Sequence, residues 1–258
     1  MKPNFVKTQN YHAFMNALKD LNGRGAEECQ LIVVDGEPGL GKTTILLKWA
    51  AENECLYLRA KTEWSPSWFM GELLDELRMQ QPHRHEARFK AALQALGERA
   101  LLAEQMGKQF AVVIDEADHV SSKQKVIETI RDLCDLAGVP FILVGMGKIR
   151  DNLVRFPQVS SRVSSYVRFS PADRNDVALF LQEKCSIPVA EDLAGFVLRA
   201  TKGFNREIKE AIQSIERFGN RNAPADPAFG LSLKEAAGLH LINDRKSGRA
   251  IPVPGAAQ

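Results

Sequence analysis

Residues 36–43 read Gly-Glu-Pro-Gly-Leu-Gly-Lys-Thr, a set of residue types and spacings suited to holding phosphate. Gly36, Gly39 and Gly41 let the backbone turn tightly around an anion and aim several N–H groups inward. Glu37, Pro38 and Leu40 complete the loop. Lys42 is placed to reach β- and γ-phosphates, and Thr43, followed by Thr44, offers a hydroxyl to magnesium. Further along, the apolar residues 111–114 lead into Asp115 and Glu116. At the end of a strand beside such a loop, Asp115 would hold magnesium and Glu116 would polarise an attacking water. That is the equipment of phosphoryl transfer, where positioning and charge neutralisation matter more than covalent chemistry.

These residues need strands and helices to bring them together. Continuous apolar runs at Leu31–Asp35, 55–59, 110–115, Phe141–Val144 and 165–169 read as strands buried on both faces, as in a parallel sheet. A helix over 43–51 follows the phosphate loop and turns its positive end toward it. Ser65-Pro66 reads as a helix start, with Ser65 as cap and Pro66 in the first turn. Phe69, Leu73 and Leu77 recur at helical spacing after it, and Phe89, Leu93, Leu96 and Ala100 mark a second helix. Alternation of strands and helices predicts an α/β fold, a parallel sheet flanked by helices. After Ser170-Pro171 the strand signal stops, and 172–184, Glu191–Thr201 and 205–218 read as a small all-helical domain. The expected organisation is a core over 1–170, a helical lid over 171–220 and a partly disordered extension over 221–258. That extension has room for one short helix near 231–241.

Composition narrows the function classes. The chain has 258 residues, 45% hydrophobic and 26% charged, which is ordinary for a folded protein able to stabilise its own core. With 34 basic and 32 acidic residues the net charge is +2, too balanced to announce nucleic-acid binding, so any such affinity must come from local patches or from an oligomer. Cys29, Cys55, Cys134 and Cys185 lie far apart and predict thiols in a reducing compartment rather than a zinc site. The N-terminus has no signal-peptide core, and no apolar run reaches membrane-spanning length, so a cytoplasmic location with no membrane partner is expected.

The order strand, phosphate loop, Asp-Glu strand, further strand and helical lid resembles the AAA+ ATPases over residues 5–220. The resemblance implies ATP and Mg2+, with Lys42 and Glu116 catalytic and Thr43 and Asp115 on the metal. Ser161-Arg162-Val163 resembles the arginine-finger segment of clamp loaders, which makes Arg162 the expected finger for a neighbouring subunit, with Arg155 in reserve. Gly203-Phe-Asn-Arg206 resembles the second-sensor helix start, so Arg206 would reach the γ-phosphate. The strand end at Gly145-Met146 lacks the polar first sensor of that family, which leaves it unassigned.

Within that family the chain is similar to DNA-transposition ATPases of the Mu B and TnsC (TniB) type. The similarity rests on Phe5-Val-Lys-Thr8 with Tyr11 and Phe14, on the Gly-Glu-Pro-Gly loop start, and on 141–146. It implies an ATP-dependent homo-oligomer, a filament or ring, on duplex DNA without sequence preference. The oligomer would recruit or regulate a transposase in a bacterial or phage-infected cytoplasm. Only 35 residues precede Gly36, so DNA contact is expected from the ATPase domain itself. Candidates are Lys61, Arg78, Arg84, Arg88 and Lys90, with Arg59, Trp64 and Trp68 nearby, and more weakly Arg245, Lys246 and Arg249. Two other classes remain open. One is a replication initiator or helicase loader, for which the stretch after Asn220 looks too short and irregular to add a helix-turn-helix domain. The other is a nucleotide switch acting on protein alone.

Overall fold

The computed structural model describes residues 1–22 and 30–255, so Cys29 and the tail residues 256–258 lie outside the described residues. The elements in chain order begin with α1 (Gln9–Asn22), β1 (Leu31–Asp35), α2 (Lys42–Glu52), β2 (Leu56–Arg59), α3 (Pro66–Glu76), α4 (His85–Gln105) and β3 (Val112–Asp115). They continue with α5 (Gln124–Ala137), β4 (Phe141–Val144), α6 (Ile149–Leu153), α7 (Pro157–Ser160) and β5 (Val163–Arg168). The chain then forms α8 (Arg174–Lys184), α9 (Glu191–Thr201), α10 (Asn205–Gly219), β6 (His240–Asn243) and β7 (Ala250–Pro252). It divides into two units. One is Ala13–Pro38 with Lys42–Phe169; the other is Met1–His12, Gly39–Gly41 and Ser170–Gln258.

The first unit is a parallel sheet in the order β2-β3-β4-β1-β5 with helices around it. The first four residues of β1 and all of β3 and β4 are buried, as continuous apolar strands require when both faces are covered. The expected parallel sheet is therefore present. Parallel register aligns the strand ends: Arg59 pairs with Asp115, Val34 with Val144, and Asp35 with Arg168. Every side chain with chemistry that follows a strand thus leaves the sheet at one edge. Ser65 caps α3 by accepting from Trp68 N (3.2 Å), with Pro66 in the first turn. Helix α5 buries Val126, Ile127, Ile130, Leu133 and Cys134, one face at a spacing of three and four residues.

The second unit packs α8, α9 and α10 around a core that includes Leu193, Val197, Ile208, Ile212 and Ile215. The N-terminus joins it: Val6 lies in this core, and the Met1 ammonium is 2.6 Å from Glu216. The C-terminal stretch departs from expectation. No helix forms over 231–241; an antiparallel β6–β7 hairpin follows instead, within the extension that was expected to be partly disordered. Leu231, Ala236, Leu241, Ile242 and Val253 are buried in the same core. The physical reason is local. Ser232 and Glu235 bond each other as in a helix-starting capping box, but Gly238, at φ +79°, stops the turn before a helix can propagate.

Candidate nucleotide site

The glycine-rich loop leaves β1 and ends where α2 begins. Its tip, Gly39–Gly41, groups with the helical unit, and two glycines there are required. Gly39 and Gly41 have φ of +94° and +87°, a region that suits glycine. A Cβ on Gly41 would also stand 2.6 Å from Asn205 Nδ2. Asn205 Nδ2 donates to Leu40 O (3.0 Å), and the Arg206 backbone N–H donates to Gly39 O (3.3 Å). The start of α10 is thereby tied to the loop tip by hydrogen bonds that need no ligand. The Arg206 side chain is exposed.

Lys42 opens α2 and is 8% exposed. Its ammonium folds back on the loop, donating to the carbonyls of Gly36 and Glu37, the latter at 2.9 Å. Burial pulls its pKa down, against the opposing pull of Asp35, Asp115, Asp118 and Glu37. Those carboxylates keep a buried cation in place where a polyanion would otherwise do so. Glu37, Pro38 and Thr44 stay at the loop surface or on the first turn of α2.

Asp115, at the end of β3, is held by three donors: Thr43 Oγ1 (2.9 Å), Tyr57 Oη (2.7 Å) and, through its other oxygen, Glu116 N (2.8 Å). Burial and the Asp115 carboxylate both raise the pKa of Tyr57, so its phenol remains a donor. Thr43 and Asp115 thus meet in space, and Tyr57 joins them without having been foreseen. Two oxygen donors side by side fit magnesium, which keeps most of its ligands as water and phosphate. No cluster of three or more metal-ligating side chains occurs among the described residues.

Glu116 sits in the left-handed region, φ 55° and ψ 32°, an uncommon conformation for glutamate. Its carboxylate is engaged by Arg59 from the end of β2, and His119 Nε2 lies 3.7 Å away. The Arg59 hydrogen bond holds Glu116 below the usual carboxylate range, with burial opposing. Arg59 thus stands beside Glu116 with most of its side chain still exposed. Asp118, unforeseen, accepts from Met146 N and from Lys148 N (3.2 Å), fastening the loop after β4 to the turn after β3. A Cβ on Gly145 would run into Asp118 and Ile149, which explains why no polar sensor side chain stands there.

Arg162 is not at this edge of its own sheet. Its carbonyl accepts from Leu31 N at the start of β1, and its Nε donates to Asp135 Oδ2 (3.0 Å). The phosphate loop leaves the other end of the same strand. Arg155 is exposed. The basic residues of the helical insert are partly spoken for. Lys61 pairs with Glu72 and lies 5.6 Å from the Trp68 ring centre, Lys90 pairs with Glu86, and Arg88 donates to Pro82 O and Ser67 Oγ. Arg78 and Arg84 are exposed. A cleft of about 870 Å³ beside β2 and α3 mixes Arg59, Lys61 and Arg88 with Glu72, Asp75 and Glu76, so its charge does not favour a polyanion. Trp64, a second candidate, is buried. Among the other thiols, Cys134 and Cys185 are buried and Cys55 is pushed up to about 12 by burial, which suits structural roles. No helix among the described residues is long and apolar enough to cross a membrane.

Comparison with known proteins places this arrangement. A family model described as an AAA domain matches residues 24–153, half of the chain. No curated protein sequence matches it. Among solved structures, Cdc6p of Pyrobaculum aerophilum superposes with a TM-score of 0.58 at 17% identity, covering 87% of this chain and 66% of that one. The Orc1 protein of Aeropyrum pernix, solved in complex with DNA, gives 0.52 at 14% identity, over 83% of this chain and 60% of that one. A Walker-type ATPase of Pyrococcus abyssi gives 0.56 at 13% identity, over 86% and 69%. This chain thus spans less than two thirds of the Cdc6p and Orc1 chains, and at such identities the likeness concerns fold. With a family match over half its length, on a parallel sheet that carries the glycine-rich loop and Asp115-Glu116 at one edge, the chain belongs to the AAA domain family and has the fold of AAA+ ATPases.

Proposed function

We propose that the chain is a magnesium-dependent ATPase that assembles with copies of itself on duplex DNA and recruits or regulates a transposase. The observation that carries the enzymatic part is the meeting of Thr43, Asp115 and Glu116 beside the Lys42 ammonium. Lys42 would exchange its loop carbonyls for β- and γ-phosphate oxygens. Thr43 and Asp115 would hold magnesium, which when bound neutralises phosphate charge. Glu116, kept ionised by Arg59, would accept a proton from the attacking water. Gly36 to Thr44 would line the phosphates, and Arg206 would reach them from the helical lid. The assignment of a core over 1–170, a lid over 171–220 and an extension over 221–258 belongs to this reading. Phosphate release from ATP and magnesium by the purified chain tests it; no release above background in any DNA or protein concentration would reject it.

Arg162 is proposed as a finger acting on the neighbour's nucleotide, which agrees with its place at the far end of β1 from its own loop. Arg162→Ala is expected to keep ATP affinity and lose hydrolysis about a thousand-fold. Mixing it with Lys42→Ala, which keeps the finger and lacks the phosphate lysine, should restore turnover at mixed interfaces. Unchanged loss on mixing would remove Arg162 from this role.

DNA association rests on the resemblance at Phe5–Phe14 and 141–146, and on the exposed Arg78 and Arg84 in the insert. Lys61, Arg88 and Lys90 would contribute after leaving their present partners. A second reading, a replication initiator or helicase loader, is favoured by the fold likeness to Cdc6p and to an Orc1 solved on DNA. The two part at the DNA. Continuous protection of a random duplex in a footprint supports the transposition reading; discrete protected sites support the initiator reading.

A further inference from the structure

The turn of the C-terminal hairpin carries an arginine onto the tip of the glycine-rich loop. The turn is pinned from inside: Asp244 Oδ1 accepts from Lys246 N (3.1 Å), Ser247 N (2.8 Å) and Ser247 Oγ (2.8 Å). Between these bonds Arg245 points back into its own unit. Its guanidinium carbon lies 4.8 Å from the centre of the Phe204 ring, a cation–π contact. Its Nη1 stands 3.6 Å from the point that a Cβ on Gly39 would occupy, so the guanidinium rests against the loop tip.

The carboxylate beside it engages it loosely. Glu207 Oε1 is 3.7 Å from Arg245 Nε, too long for a hydrogen bond. Glu207 is only 7% exposed, and its Oε2 is buried with no hydrogen-bond partner among the described residues. Asn205 Oδ1, two residues earlier in the chain, is in the same state. Interiors seldom leave such acceptors open, because desolvation without a partner costs about 1–3 kcal/mol each. The pair is therefore incompletely closed, and the arginine keeps donors free while standing on a phosphate-binding loop. An anion held by that loop would take those donors in charge-assisted bonds stronger than the contact it replaces.

We propose that Arg245 is a phosphate-binding residue at the Gly39–Gly41 tip of the glycine-rich loop, brought there by the C-terminal hairpin, with Glu207 and Phe204 holding its guanidinium against that tip. The proposal rests on the reading of residues 36–43 as a nucleotide site. It gives the hairpin, which carries no recognisable motif, a part in binding phosphate at that tip.

Titration of fluorescently labelled ATP with magnesium into the full chain tests it. Arg245→Ala should weaken affinity about ten-fold or more, the value of one lost charge-assisted contact. The same loss should persist when Glu207→Gln is combined with it, since a phosphate ligand is missed whether or not Glu207 is charged. Where the alanine variant does not hold its fold, judged by thermal melting, Arg245→Gln keeps the stem over Phe204 and serves in its place. Affinity unchanged by removal of Arg245 would overturn the proposal. So would a loss that vanishes in the double variant, because the arginine would then only neutralise Glu207. Lys42→Ala separates the two levels. If it abolishes binding while the Arg245 variants bind as wild type, only the Arg245 proposal fails; if Lys42→Ala itself binds normally, the nucleotide-site reading fails.

Discussion

Lys42→Ala is expected to lower nucleotide affinity by at least about a hundred-fold, the value of losing an ammonium that, on the proposed reading, would make charge-assisted bonds to two phosphates. The fold should tolerate the change. Lys42 donates only to loop carbonyls of Gly36 and Glu37, and its burial already costs the charged form free energy, as its lowered pKa shows. Removing a cation that the free protein holds at a cost should leave the melting temperature close to that of the wild type. Nucleotide should raise the melting temperature of the wild type and leave that of the variant unmoved, because ligand stabilisation scales with occupancy. A variant that bound ATP normally would show that the loop carries its glycines for some other purpose.

Glu116→Gln is expected to bind ATP at wild-type affinity and hydrolyse it about a hundred- to ten-thousand-fold more slowly, the usual contribution of a general base. Glutamine keeps the shape and can still accept from Arg59, so Asp115 and its three donors should stay in place. In the wild type the Arg59 guanidinium favours the ionised carboxylate and sets the folded pKa below the ordinary value. Turnover that depends on this base should therefore hold steady through neutral pH and fall only as pH drops through that depressed pKa. The variant should lose this acid limb. If the chain assembles in an ATP-dependent way, the slow variant should accumulate the assembled form, which sedimentation in ATP and magnesium would reveal. Wild-type turnover in Glu116→Gln would move the base elsewhere.

The candidate site was legible in the sequence where it lies in short contiguous stretches. Residues 36–43 and 111–116 name their own residue types and contexts, and buried strands betray themselves as unbroken apolar runs. What could not be read depends on register between distant strands. Tyr57 and Arg59 meet Asp115 and Glu116 because β2 lies parallel beside β3 with Arg59 opposite Asp115. Nothing in the local sequence fixes that pairing, and Arg59 alone looks like any surface arginine. Asp118 was hidden for the same reason, since its partners are backbone amides of a loop 28 and 30 residues away. The C-terminal hairpin was missed because its strands have three and four residues and are separated by a turn rich in Asp, Lys, Ser and Gly, a composition that reads as loose chain. Its apolar residues are buried against α10 rather than arranged in a period of their own.

The charges in the insert teach a related lesson. Counting basic residues over 59–90 suggested a surface for phosphates, yet Arg59, Lys61 and Lys90 each have an acid within ion-pair distance. Exposed pairs of this kind are weak, about 0–1 kcal/mol, so a polyanion repeated across many subunits could displace them. DNA binding that depends on assembly is therefore compatible with the pairing of these three residues.

Fluorescence anisotropy of a labelled random-sequence duplex tests the account's central claim most directly, with protein titrated at low and moderate salt in ATP and magnesium, in ADP, and without nucleotide. The account predicts cooperative binding that requires ATP and weakens steeply with salt. Absence of binding in every nucleotide state would contradict it and leave a nucleotide switch that acts on protein alone.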